Sequence, residues 1–265
     1  MFDVENFASR RKFILNTPFD YVDKNGLVAC ILKRIEDGGT CVDVVITPNV
    51  DHVLRVNKDP SLREVYNSAW LSVCDSRVLE FLVKIRGHEA PCVFPGSEIV
   101  ASLVNDKFFL SRKVAVIGGS QDVVSEFKRR FHFQSLFHHN PPMGFINSVK
   151  ETNECIDFVL GVKPDVIFLA VGSPQQEQLA YKLKQQGGIG ALCLCVGASI
   201  LFLTGHEKRA PRIVKSMRLE WLYRLFRNPR RLWKRYLSNF KIFPLMFTSN
   251  FKPSKEPGVP KSGSH

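Results

Sequence analysis

Short apolar, β-branched runs alternate with stretches of mixed polarity as far as about residue 205. "VDVVITPN" (Val42–Asn49), "WLSVCDS" (Trp70–Ser76), "KVAVIGGS" (Lys113–Ser120), "PDVIFLAVGSP" (Pro164–Pro174) and "GALCLCVGAS" (Gly190–Ser199) each read as a buried strand entering a polar turn. The stretch from Val50 to Ser68 and "QDVVSEFKRRF" read as helices between them. Strands of continuous apolar character separated by helices predict an α/β, Rossmann-like fold: a mostly parallel sheet with helices on both faces. The polar residues collect where the strands end: Thr47 and Asn49, Asp75 and Ser76, Gly118 and Gly119, Gly172 to Glu177, and Gly197. In open α/β sheets ligands bind at that edge, so one site there is the expectation.

The alternation stops after Gly205. From His206 to Lys241 there are twelve Lys and Arg against two acids, a net +10 out of +12 for all 265 residues. A basic segment of that density is expected to face an anionic partner, either nucleic acid or acidic lipid. Leu222, Leu225 and Phe226, then Trp233, Tyr236, Leu237 and Phe240 beyond Pro229, recur at helical spacing with arginines largely between them. An apolar stripe flanked by cations suits an interfacial helix on anionic lipid better than a nucleic-acid grip, although packing on the protein's own core would show the same stripe. We therefore divide the chain into an α/β core (1–207), a basic amphipathic appendage (208–246) and a Pro/Ser/Lys-rich tail expected to be disordered (247–265).

The 45% apolar share supports a sizeable core and argues against disorder throughout. The opening "MFDVENFASRRKF" lacks the apolar region of a signal peptide, and no run reaches the ~20 residues of a spanning helix, so membrane contact is expected to be peripheral. Seven scattered cysteines without CxxC or Cys/His spacing read as reduced, mostly buried thiols.

The chemistry of the strand ends leaves alternatives open. The "VIGGS" glycines allow a phosphate to approach a helix N-terminus, but a plain tight turn looks the same. Asp75 at the end of an apolar strand suits a general base, yet also suits the cap of the following helix. In "GSPQQE", Pro174 fits a first helical turn and Gln176 and Glu177 are candidates to face the cleft. His138 and His139, adjacent in sequence, read as solvated. No Ser-His-Asp pattern, metal cluster or DxD triad is found.

Taken in order, "TPNVDHV", "VCDSRVL", "FPGSEIV", "VIGGS", "HHNPPMGF", "VGSPQQE", "VGASILFLTGHEKRAPR" and "LEWLYRLFRNPRRLWKRYL" resemble the WecG/TagA/CpsF family of bacterial glycosyltransferases. The likeness runs from about Phe13 to Leu237, and the last two blocks are the most specific. It implies an inverting, metal-independent transfer from a UDP-sugar to a polyprenyl-diphosphate-linked sugar, at the cytoplasmic face of the inner membrane. By the same resemblance Asp75 is the base, with Thr47 and Asn49 near the reacting sugars. The donor side falls to Gly118, Gly119, Gly172, Gln176, Glu177 and Gly197, with Arg224, Arg231 and Lys234 closing over the pyrophosphate. Arg209, Arg212, Trp233 and Arg235 fall to the acceptor or the membrane. No cofactor and no nucleic acid is implied; a homo-oligomer is left open.

This chain departs from the family at Ser76, at Val93 and at Leu201, where a glycine, an arginine and an aspartate are usual, and Glu98 replaces an aspartate. The Asp-Ser-Arg variant resembles the exopolysaccharide branch that includes the xanthan glucosyltransferase, which makes UDP-glucose the expected donor. The alternatives are an N-acetylmannosamine-type donor in teichoic acid, common antigen or capsule synthesis, and, from another class, a non-catalytic polyanion-binding protein.

Overall fold

A computed structural model describes residues 11–207, 233 and 237–247. Its centre is a six-stranded, wholly parallel sheet. The strands are β3 (Asp43–Ile46), β4 (Leu71–Ser72), β5 (Lys113–Ile117), β6 (Ser135–His139), β7 (Val166–Leu169) and β8 (Leu192–Cys195), preceded by a hairpin of β1 (Arg11–Ile14) and β2 (Thr17–Asp20). The sheet order is β4-β3-β8-β7-β5-β6. The chain winds outward from β3 to β4 on one side and from β5 to β6 on the other, so the reversal falls over the carboxyl ends of the four middle strands.

Helices cover both faces: α1 (Lys24–Asp37), α2 (Val50–Lys58), α3 (Pro60–Asn67), α4 (Arg77–Ile85), α5 (Gly96–Leu103), α6 (Lys107–Leu110), α7 (Gln121–Phe131), α8 (Val149–Val162), α9 (Gln175–Gln186) and α10 (Ser199–Leu203). A further short helix, α11 (Ile242–Met246), follows the basic segment. The period-2 geometry of β7 serves both layers: Val166 and Phe168 pack with α1, α5 and α7, while Ile167 and Leu169 pack with α3, α8 and α9. Two-sided burial is why these strands read as unbroken apolar runs.

All five strands expected from sequence form, and the parallel sheet expected from them is present. Three local expectations change. Val50–Ser68 is two helices, because Pro60 opens α3 and Asp59 caps it by accepting from Ser61 N; proline there breaks the helical ladder. β6, "SLFHH", is a sixth strand at the sheet edge, only partly buried and without an apolar run to announce it. The hairpin is held by a fork from Arg11 onto Asp20 at 2.8 and 2.7 Å, and Asp20 also accepts from Ser72 N at 2.7 Å. Leu15 and Asn16 make its turn, both at positive φ.

Candidate active site

Thr47 and Asn49 leave the end of β3 partly exposed. Asn49 caps α2, its Oδ1 accepting from Asp51 N at 3.0 Å and His52 N at 3.4 Å. What Asn49 has left to offer is its Nδ2 amide, a donor. Gly96 opens α5 beside Thr47: a Cβ there would stand 3.2 Å from Thr47 Oγ1 and 3.5 Å from Ser199 Oγ. Glycine at 96 thus leaves room around two hydroxyls from two different strand ends. Neither Gly96 nor Ser199 was singled out by the sequence, since their proximity depends on strand order.

Asp75 lies next to these groups. Its backbone N–H donates to Pro48 O at 2.9 Å, and the preceding residue forms a parallel bridge, Cys74 to Val93, with Phe94 N donating to Cys74 O. The alternative in which Asp75 caps the following helix is resolved by Ser76, whose hydroxyl accepts from Leu79 N at 3.2 Å and caps α4. Asp75 is partly exposed on the edge between the exits of β3 and β4. Burial pushes the Cys74 thiol well up, so it is no nucleophile. Val93, at the position where the resemblance leads one to expect arginine, is 7% exposed within the apolar cluster of α4.

The glycine turn after β5 is shaped by packing. Gly118 has φ +94°, and a Cβ would come 2.7 Å from Val171 Cγ1 and 2.9 Å from the Ala170 backbone. Gly119 follows at φ +80°, and α7 then starts with no side-chain cap bond. His138 is not a solvated histidine, as the sequence suggested: its Nε2 lies 3.3 Å from Gly118 O and 3.1 Å from Gly119 O, and its Nδ1 lies 2.9 Å from Gln121 Oε1. It braces the turn from the neighbouring strand. His139 stacks on Phe158 at 5.3 Å.

The "GSPQQE" segment also differs from expectation. Gly172 has φ +81°, the Ser173–Pro174 peptide is cis, and α9 begins after Pro174. Gln176 and Glu177 do not open to the cleft; they are 4% and 1% exposed. Gln176 Oε1 accepts from Gly197 N at 3.0 Å, and Gln176 Nε2 donates to Glu177 Oε1 at 2.8 Å. Beside them Arg55 donates to Ser173 Oγ at 3.2 Å and pairs with Asp51 at 2.7 Å. The Tyr66 hydroxyl lies 3.5 Å from the same Oγ. Desolvation raises the Glu177 pKa above the ordinary glutamate value; Gln176, Ser173 and Arg55 pull the other way, less strongly. Tyr66 is raised by burial and by the nearby Glu177. This buried network ties the exits of β3, β7 and β8 together from behind. Sequence alone could not place it, because a Gln-Glu pair in a first helical turn looks solvent-facing until the helix is docked.

Thr47, Asn49, Asp75, Gly118, Gly119, Gly172 and Gly197 therefore share the carboxyl edge, with Gln176 and Glu177 beneath it. Trp233 is 49% exposed. Arg209, Arg212, Arg224, Arg231, Lys234 and Arg235 lie outside the described residues, as does most of the 208–246 appendage. Among the described residues no three His, Cys, Asp or Glu side chains gather in a way that could hold a metal ion, and no helix is long and apolar enough to cross a membrane. All seven cysteines are free, with Cys41 and Cys92 exposed and the rest buried.

Comparison with known proteins places the chain among glycosyltransferases. An N-acetylglucosaminyldiphosphoundecaprenol N-acetyl-beta-D-mannosaminyltransferase of Bacillus spizizenii is 27% identical over 198 residues, 73% of this chain and 74% of that protein. Proteins of the same name from two Staphylococcus aureus strains, MW2 and NCTC 8325, are 26% identical over 237 residues, 88% of this chain and 89% of theirs. The family model described as "Glycosyl transferase WecG/TagA/CpsF family" matches residues 13–256. With nearly its whole length so matched, the chain belongs to the WecG/TagA/CpsF family of glycosyl transferases.

Proposed function

We propose that this chain moves a sugar from a UDP-sugar to a sugar carried on a polyprenyl diphosphate, with inversion and with Asp75 as general base. The observation that carries this reading is the placement of Asp75. It stands partly exposed between the exits of β3 and β4, beside Thr47 and Asn49, while Ser76 takes over the helix cap. In the reaction the Asp75 carboxylate accepts the proton of the acceptor hydroxyl as that oxygen bonds to the anomeric carbon. The bond to the diphosphate breaks, and the leaving group departs with the electron pair. In this scheme the Thr47 hydroxyl and the Asn49 amide donate hydrogen bonds to the sugars. The charge growing on the diphosphate is met in the same scheme by the Gly119 N–H and those at the start of α7, the Gly118 N–H being committed to His139 O, and by Arg224, Arg231 and Lys234 of the appendage. Cationic side chains in that role make a metal unnecessary in this scheme.

For the donor, the relatives' names support N-acetylmannosaminyl transfer to an N-acetylglucosaminyl-diphosphoprenol, and that is the first reading. The glucose donor expected from the Asp-Ser-Arg variant has less support. One observation keeps it as a second reading. Val93 is buried in the α4 cluster and Leu201 packs against the main core, so neither supplies the charge that the family usually carries there. Peripheral attachment to an anionic membrane, where such an acceptor resides, belongs to the same proposal.

The test is a donor panel (UDP-N-acetylmannosamine, UDP-glucose, UDP-glucuronate) against prenyl-diphosphate-linked N-acetylglucosamine and glucose. Transfer from UDP-N-acetylmannosamine to the N-acetylglucosamine acceptor is the expected result; turnover from UDP-glucose alone would establish the second reading. Asp75→Asn should lower the rate at least ~100-fold with unchanged melting. Near-normal turnover would remove Asp75 as the base.

A further inference from the structure

Ten large hydrophobic side chains stay exposed among the described residues, and seven of them lie on α4 or between Trp233 and Phe247. The two groups adjoin. Ile242 and Met246 of α11 are buried in one cluster with Leu79, Leu82 and Val83 of α4, so α11 is fixed to the core and packs on α4. Phe81 and Ile85, one turn apart on α4, remain 48% and 53% exposed. In the segment that packs on α4, Phe240 and Phe243 stack at 6.0 Å, and the Arg86 guanidinium, next after α4, lies 5.9 Å from the Phe247 ring.

The charges around these side chains have one dominant sign. α4 and its end carry Arg77, Lys84 and Arg86, and Lys241 precedes α11; the acid among them is Glu80, which pairs with Lys84 at 2.6 Å. Four cations against one anion leave +3 on these described residues, and the sequence leading to them, His206 to Phe240, carries a further +9. Exposed aromatic and aliphatic side chains rimmed by Lys and Arg match the chemistry of an anionic bilayer surface, apolar beneath a negative headgroup layer. α4 also begins two residues after Asp75, and at 1.5 Å per residue Phe81 and Ile85 lie only about 9–15 Å along the axis from that position.

We propose that α4 of the catalytic core, together with α11, is a membrane-seating surface: Phe81 and Ile85 insert at the headgroup boundary of an anionic bilayer. This contact sets the height of Asp75 above the lipid. It goes beyond attachment by the basic appendage, because it assigns part of the grip to the α/β core. It rests on the reading that the acceptor is lipid-linked.

The test uses the full chain. Co-sedimentation with phosphatidylcholine vesicles, with and without phosphatidylglycerol, is measured for the wild type and for a Phe81→Ser/Ile85→Ser variant, with a thermal melt and light scattering of each. The expected result is binding that depends on phosphatidylglycerol and falls at least about ten-fold in the variant, at unchanged melting temperature. If the double variant loses its melting transition, the single variants read the same effect. Equal binding of variant and wild type, or no wild-type binding, overturns the proposal. So does a wild-type dimer without vesicles that the variant dissolves, which would make the patch a contact between copies. Transfer to a short, water-soluble prenyl-diphosphate acceptor is measured in parallel. Its absence in a wild type that binds vesicles would count against the transferase reading and leave the seating surface standing.

Discussion

Replacing Glu177 by Gln and by Leu separates a neutral buried carboxyl from a charged one. Glu177 is 1% exposed; its Oε1 accepts the Gln176 amide, and its Oε2 is buried with no hydrogen bond within the protein. Burial raises its pKa, so the protonated form persists in the fold above the ordinary glutamate value of about 4.3. Glutamine has nearly the same shape, is neutral, and keeps an acceptor for Gln176. At about pH 4, no higher than the ordinary glutamate value that Glu177 exceeds in the fold, Glu177→Gln should change stability by less than about 1 kcal/mol. Glu177→Leu leaves the Gln176 amide buried without its acceptor, a cost of about 1–3 kcal/mol. At about 2–4 °C per kcal/mol for a domain of this size, that is a fall in Tm of roughly 2–12 °C.

The pH dependence gives the sharper measurement. A group whose folded pKa is raised contributes its stability in full below the unfolded pKa and loses it as pH rises through the folded value. Melts from about pH 4, near the unfolded value, to about pH 8 should therefore show the wild type losing stability relative to Glu177→Gln as pH increases. Two curves that stay parallel would refute a neutral Glu177. So would a Gln variant as unstable as the Leu variant at the acid end, since that would mean the site requires a carboxylate.

Gly118→Ala brings a Cβ to 2.7 Å from Val171 Cγ1 and 2.9 Å from the Ala170 backbone at φ +94°. It should cost about 2–4 kcal/mol in a urea titration, and a loss under 1 kcal/mol would mean that the turn is not clamped. Asp20→Asn removes the charge that Arg11 forks onto beside Ser72 N, in a side chain only 1% exposed. A drop of about 3–5 kcal/mol is expected, with Arg11→Met/Asp20→Met less destabilised than the single change. His138→Ala removes the brace on the carbonyls of Gly118 and Gly119. It should raise KM for the nucleotide-sugar several-fold with kcat little changed; an unchanged KM would dissociate the turn from donor binding.

What the sequence made legible follows from how each element is buried. β3, β5, β7 and β8 sit inside the sheet, and their apolar character is unbroken because both faces need it. The polar residues at their ends then marked the edge where Thr47, Asn49 and Asp75 come together. β6 was not legible because an edge strand buries only part of each face, so "SLFHH" shows no run. The hairpin was not legible either, since what fixes it is Arg11 on Asp20, a pair distant from any hydrophobic pattern. Gln176 and Glu177 misled for the opposite reason: polar residues in a first helical turn face water by default, and only docking α9 against β8 brings Gln176 onto Gly197 N.

The same dependence on docking governs how the C-terminal segment is to be tested. Its sequence suggests a detachable appendage, and cutting after Gly205 would look like a clean removal. But Ile242 and Met246 are 1% and 0% exposed against Leu79, Leu82 and Val83, so the cut also strips the outer cover from α4. Burying two such side chains is worth roughly 3–6 kcal/mol, and the cap of α4, Ser76, is the residue after Asp75. Lost activity in the truncated protein would therefore mix a missing set of arginines with a loosened catalytic edge. Charge reversals at Arg224 and Arg231 in the full chain keep α11 in place. If they abolish vesicle binding and transfer while melting is unchanged, the basic residues act on the lipid and the diphosphate. If transfer survives them, the cations over the leaving group must come from elsewhere, and Arg55, which donates to Ser173 after the Gly172 turn, is a candidate on the core.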